Sequence, residues 1–127
     1  IIEGMEEVYL QGTARYLRVK DIRIAGKTGT VENFTRIDGK KTQLTDHSVF
    51  VAFAPVEDPK IAIAIYIENG YFGARYAGHI ASLMIEKYLK GSISRTDLEQ
   101  RMLTKTLEHE YAKPLSGKPF KINENAW

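Results

Sequence analysis

Cysteine is absent from the 127 residues, which removes disulfides, thiolate metal ligands and thiol nucleophiles at once. No stretch approaches the roughly 18 consecutive apolar residues of a membrane-spanning helix. Ile1-Ile2-Glu3-Gly4-Met5 also lacks the basic-then-apolar order of a secretion signal, so no membrane contact is expected from this segment. Charge of one sign is missing too: 18 basic against 16 acidic residues leave a net +2, too little to grip a phosphate backbone. No nucleic-acid partner is expected. Three positions after Ser48, Ser82, Ser92, Ser94 and Ser116 stand Val51, Ile85, Arg95, Asp97 and Pro119. No serine here has a lysine one helical turn ahead of it, so the chain holds no S-x-x-K nucleophile. The chain begins on Ile1 in what reads as mid-element, which predicts a piece of a longer protein.

What is present suits a single soluble globular unit with a modest core: 43% of residues are hydrophobic and 27% charged. Ile61 to Ile67 sets four isoleucines on one strand face and Ala62, Ala64 and Tyr66 on the other, which predicts a central strand covered on both sides. Ser48 to Ala54 is β-rich as well. The turn residues of Pro55-Val56-Glu57-Asp58-Pro59-Lys60 predict that these two strands form an antiparallel hairpin. A third strand is expected from Ile22 onward, where Ile22 and Ile24 alternate with Arg23 and Ala25, running into Lys27-Thr28-Gly29-Thr30. Asp38-Gly39 signals the turn of a protruding ribbon.

Helical spacing follows the strands. Ala77, Ile80, Ala81, Met84 and Tyr88 mark the expected buried face of a helix ended by Gly91, with His79, Ser82 and Glu86 opposite. Ile1, Met5, Val8 and Tyr9 suggest an earlier helix. Thr96 with Glu99 resembles a capping box opening a helix to about Tyr111, with Leu103, Leu107 and Tyr111 as its stripe. Pro114, Gly117 and Pro119 predict an extended tail. The expected fold is thus α/β (α+β): about three antiparallel strands packed against helices over 1–91, then a C-terminal helix and tail over 92–127.

The chemistry concentrates at Lys27. A lysine at a strand end holds positive charge beside a nucleophile, two threonine hydroxyls add donors, and Gly29 leaves room for approach. At a sheet edge, free N–H and C=O groups pair with an extended peptide, and an N–H near Thr30 can stabilise an oxyanion. That set suits acyl transfer on a peptide ending in a carboxylate. The bland alternative is a surface strand end where lysine, threonine and glycine meet by chance. Other candidates carry less. Asp46 and His47 adjoin, but strand neighbours face opposite ways, which favours a structural role. His109-Glu110 begins H-E-x-x-H, yet Lys113 stands at the closing position, and neither a metal nor a cofactor is expected. Tyr71-Phe72-Gly73 is a candidate loop rimming the site, with plain turn packing as its alternative. Arg36, Lys40 and Lys41 around the Asp38-Gly39 turn read first as a solvated ribbon tip.

In order along the chain, K-T-G-T, the ribbon, D-H-S-V-F-V-A-F-A-P, E-D-P-K and I-A-I-A-I-Y-I-E-N-G resemble the last part of a class B penicillin-binding protein transpeptidase domain. The G-M-E-E-V and G-T-A-R strings before Ala25 resemble the approach to that motif, and Glu68-Asn69-Gly70 is similar to the elongation type, penicillin-binding protein 2. The resemblance covers about the first three quarters of the chain. It implies part of a serine β-lactamase/penicillin-binding transpeptidase fold, in a peptidoglycan D,D-transpeptidase outside the bacterial inner membrane, anchored by a segment not present here. Its partners would be stem peptides, β-lactams and envelope elongation-complex proteins. It further implies that Lys27 supports a serine, lysine and S-x-N network electrostatically. Thr28 and Thr30 would bind the substrate carboxylate, with Gly29 leaving room and the Thr30 N–H serving the oxyanion hole. The alternative from another class is a non-catalytic α/β module that binds a peptide by strand addition.

Overall fold

A computed structural model of the chain describes residues 1–71 and 73–112. The elements run α1 (Ile2–Leu10), a 3-10 turn (Arg15–Leu17), β1 (Ala25–Val31), β2 (Phe34–Ile37), β3 (Lys40–Gln43), β4 (His47–Ala54) and β5 (Ile61–Ile67). A π-helical turn (Ala74–Gly78) then leads into α2 (His79–Lys90), followed by α3 (Thr96–Thr104) and α4 (Glu108–Tyr111). The class is the α/β, antiparallel one that the sequence predicts.

The main sheet has the order β1-β4-β5, antiparallel throughout. β4, not β5, is therefore its middle strand. Among the described residues β5 lies at an edge, and its Ala62, Ala64 and Tyr66 face is exposed, Tyr66 to 54%. Apolar residues on both faces signal surfaces that can be covered; they do not fix a strand's place in the order. β1 starts at Ala25, later than the alternation suggests. Val19 and Ile22 form a bridge around Asp21, whose φ is 62°, so the chain is still turning there. Arg23 points away to bind Glu6 at 2.6 Å and Glu57 at 2.7 Å. The ribbon of β2 and β3 forms as expected, with Asp38 and Gly39 both at positive φ, the demand of a type I′ turn.

The core lies on one face of the sheet. Phe50, Ala52 and Ala54 of β4 cluster with Tyr9 of α1, Leu17 of the 3-10 turn, Ala77 of the π-helical turn, and Ala81 and Ile85 of α2. The buried face of α2 is rotated from the one the spacing predicts: Met84 and Tyr88 are 49% and 63% exposed, whereas Ser82 and Glu86 are buried. The reason is a local ion pair. Arg95 Nε donates to Glu86 at 2.8 Å and its other nitrogens reach Ser82, so the polar face is satisfied and can turn inward. Gly91 ends α2 at φ 78°, as expected.

No capping box opens α3, because Arg95 and not Thr96 is its N-cap, without a side-chain cap bond. The expected long helix is two, broken where Lys105 turns extended at ψ 134°. Leu98 is the buried contact of α3, and Leu103, expected on the inner stripe, is 75% exposed. The predicted tail over 113–127 lies outside the described residues. No described helix is long and apolar enough to cross a membrane.

Candidate active site

β1 lies at the edge of the main sheet, paired with β4 on one side among the described residues. Its register sets Lys27 opposite Val51, Thr28 opposite Phe50, Gly29 opposite Val49 and Thr30 opposite Ser48. Opposed residues share a face. Thr28 and Thr30 therefore stand on the helix-bearing face with buried Phe50 and Ser48, and Lys27 and Gly29 on the open face with Val51, itself 39% exposed. The strand brings the four motif residues together at one edge and divides them between its two faces. Lys27 is exposed, and its ammonium donates to the Thr28 carbonyl at 2.8 Å. A Cβ added at Gly29 would meet the Val49 side chain at an ordinary 3.5 Å, so this chain's own packing leaves space for a larger residue.

The loop after β5 backs the strand. Asn69 and Tyr71 sit at φ 53° and 72°, in the left-handed region, and deliver Gly73 onto the Gly29–Val49 rung. A Cβ on Gly73 would fall into the Val49 carbonyl and within 2.5 Å of the Gly29 carbonyl oxygen. Tyr71 is half-buried and its N–H donates to the Asp46 carbonyl at 3.0 Å. Phe72, the other expected rim residue, lies outside the described residues.

Asp46 and His47 serve separate structural bonds. The Asp46 carboxylate accepts from the Asn33 N–H at 3.2 Å and from the Gln43 amide at 2.9 Å. His47 accepts the Asn69 N–H on Nδ1 at 3.1 Å and packs against the Tyr66 ring, centroids 5.3 Å apart. Arg36 and Lys41 are spent on the ribbon itself, on the Gly39 carbonyl and the Phe34 ring. Asn33, which sequence reasoning passed over, links Asp46, Thr45 and Asn69. Its signal was weak: an asparagine just past a strand end, a type that bonds nearby backbone.

A family model of the penicillin-binding protein transpeptidase domain matches residues 1–90. The chain belongs to that family. Among transpeptidase-family relatives, the peptidoglycan D,D-transpeptidase MrdA of Acinetobacter baumannii is 40% identical over 82 residues, 59% of this chain and 12% of its own length. The peptidoglycan D,D-transpeptidase PbpA of Mycobacterium tuberculosis is 35% identical over 96 residues, 72% of this chain and 18% of its own. Penicillin-binding protein 2 of Pseudomonas aeruginosa, solved in complex with WCK 5153, superposes with a TM-score of 0.53 at 27% identity, over 75% of this chain and 20% of that one. The penicillin-binding protein 2 type implied by Glu68-Asn69-Gly70 thus recurs among the matches. The chain spans less than a quarter of the length of each of these proteins.

Proposed function

We propose that this chain is the part of a peptidoglycan D,D-transpeptidase that presents the K-T-G-T strand to substrate, with the serine nucleophile, its lysine and the S-x-N residues supplied by protein outside this sequence. The observation that carries the reading is the edge position of β1 among the described residues, with Lys27 exposed on the same strand face as Gly29. An extended peptide can lie along such an edge, held by backbone hydrogen bonds. Thr28 and Thr30 donate hydroxyl hydrogen bonds to the terminal carboxylate of a stem peptide or of a β-lactam. Lys27 supplies positive charge toward that carboxylate and the serine network, and the Thr30 N–H faces the oxyanion.

In the reaction, the serine oxygen bonds to the penultimate D-alanine carbonyl carbon. The C–N bond to the last D-alanine breaks, and the proton passes to the departing amine. An amine of a neighbouring stem peptide then attacks the ester, forming the new C–N bond as the C–O bond breaks, and the proton the amine loses returns to the serine oxygen. A β-lactam stops at the ester because its leaving amine stays tethered. The work belongs outside the inner membrane, with envelope elongation-complex proteins as partners. Alone, the chain should be inert, since removing the nucleophile from a cooperative set removes nearly all of the rate.

The test is covalent labelling with a fluorescent penicillin, read by denaturing gel and intact mass. One adduct per molecule is expected on the full-length gene product and none on this chain alone. An unlabelled full-length protein would leave the strand-addition module as the better reading.

A further inference from the structure

Asn33 stands just beyond the end of β1, three residues past Thr30, and bonds in five directions. Its backbone N–H donates to the Asp46 carboxylate at 3.2 Å. Its side-chain amide donates to the Thr45 carbonyl at 3.1 Å and to the Asn69 side-chain oxygen at 2.8 Å. Its carbonyl accepts the Leu44 N–H at 2.9 Å and the Gln43 amide at 3.0 Å. One residue thereby ties the end of the K-T-G-T strand to the foot of the ribbon and to the loop after β5.

That loop is the one that needs holding. Asn69 and Tyr71 both occupy the left-handed region, which costs about 1 kcal/mol or more for a side-chain-bearing residue and persists only where surroundings enforce it. Those surroundings include the Asn33 amide on the Asn69 side chain, His47 Nδ1 on the Asn69 N–H at 3.1 Å, and the Asp46 carbonyl on the Tyr71 N–H at 3.0 Å. Two residues further on, Gly73 presses on the Gly29 backbone. Asn33 therefore reaches the motif by two routes: along its own strand, and through the loop that backs it.

We infer that Asn33 is a positioning residue for the K-T-G-T strand, setting the edge strand and its backing loop at the spacing that acylation requires. The inference rests on the transpeptidase reading above. Asn33 touches neither substrate nor nucleophile; it acts through Gly29, Thr30 and Gly73. An unanchored strand end lets the carboxylate-binding hydroxyls and the oxyanion N–H drift together, and displacements of about 1 Å cost acyl transfer up to about a hundredfold.

The experiment uses the full-length protein and measures the second-order rate of acylation by fluorescent penicillin beside Tm. Asn33→Ala should acylate at least about tenfold more slowly. Leu98→Ala, which hollows the α3 contact away from the strand, should lose as much Tm and keep the wild-type rate. Asn69→Gly tolerates the left-handed backbone, keeps the N–H that His47 accepts and removes the side-chain amide that accepts from Asn33, so it should slow acylation severalfold with its fold intact, and it decides the matter if Asn33→Ala fails to fold. A wild-type rate in Asn33→Ala, or in Asn69→Gly where it must stand in, overturns the inference. So does a rate loss in Leu98→Ala equal to that in Asn33→Ala. A wild-type protein that takes no label at all overturns the transpeptidase reading, and the inference falls with it.

Discussion

Gly73 lies against the backbone of Gly29, so closely that a methyl group on Gly73 would come within 2.5 Å of the Gly29 carbonyl oxygen and 2.9 Å of its nitrogen. The φ of Gly73 is −55°, a value any residue adopts, so the requirement for glycine there is purely one of space. Both obstacles are main chain, which yields less readily than a side-chain tip. Gly73→Ala should therefore cost about 1 to 3 kcal/mol of stability. In the full-length protein it should also slow penicillin acylation if the clash is relieved by pushing β1 or β4 aside. Denaturant unfolding and labelling rates check the two halves separately, and unchanged values in both would mean that the loop, not the strand, gives way.

Glu86 is 1% exposed and accepts hydrogen bonds from the Ser94 hydroxyl and N–H and from Arg95 Nε. Burial pushes its carboxyl up, but the Ser94 and Arg95 bonds outweigh burial and hold it below its ordinary value. A carboxyl lowered in the folded state contributes stability above its unfolded value of about 4.3, and that stability drains away as pH falls through the folded value. Tm of the wild type should accordingly fall more steeply than that of Glu86→Gln on acidification from about pH 5 to pH 3. Arg95→Met, which strands the buried carboxylate, should cost about 3 to 5 kcal/mol near neutral pH. Parallel acid limbs in wild type and Glu86→Gln would show that the carboxylate gains nothing from its partners.

The same pair shows where sequence reading reached its limit. Periodicity placed α2 correctly and Gly91 ended it, because helix existence and termination are local. Which face turned inward was not local: it depended on Arg95, across a turn, neutralising Glu86. The hairpin of β4 and β5 was legible from alternation and turn residues, whereas the central place of β4 depended on β1 pairing with its other side. Lys27 to Thr30 stood out as a motif, and their edge position followed from the order of strands. Asn33 was invisible because its meaning lies in Asp46 and Asn69, distant in sequence and adjacent in space.

Tyr9 is 2% exposed, packs edge-on against Phe50 with ring centroids 6.0 Å apart, and has no hydrogen-bond partner for its hydroxyl among the described residues. Burial pushes the phenol well above its ordinary value, against a smaller opposing pull from the Arg95 charge. An unsatisfied buried hydroxyl costs about 1 to 3 kcal/mol, so Tyr9→Phe should hold or raise stability, by about 1 kcal/mol at most. Removing the ring with Tyr9→Ala should cost about 3 to 5 kcal/mol, as for other large aromatic-to-alanine changes in cores. Denaturant unfolding measures both, and a clear loss in Tyr9→Phe would mean that the hydroxyl has a partner after all.

Lys27 offers the sharpest separation of function from stability. Its side chain is exposed and bonds to the carbonyl of its own neighbour, Thr28, so that bond holds no other element of the described residues. Lys27→Ala should leave Tm within the scatter of surface substitutions. If the ammonium supports the serine network and draws in the substrate carboxylate, the same change in the full-length protein should slow penicillin acylation by about a hundredfold or more, the scale of losing one preorganised electrostatic contact. Lys27→Arg keeps the charge but replaces a compact ammonium with a wider planar fork, so it should recover only part of the rate. Acylation at the wild-type rate in Lys27→Ala would separate the motif from the chemistry altogether and leave β1 as an edge strand whose lysine serves only its exposed face.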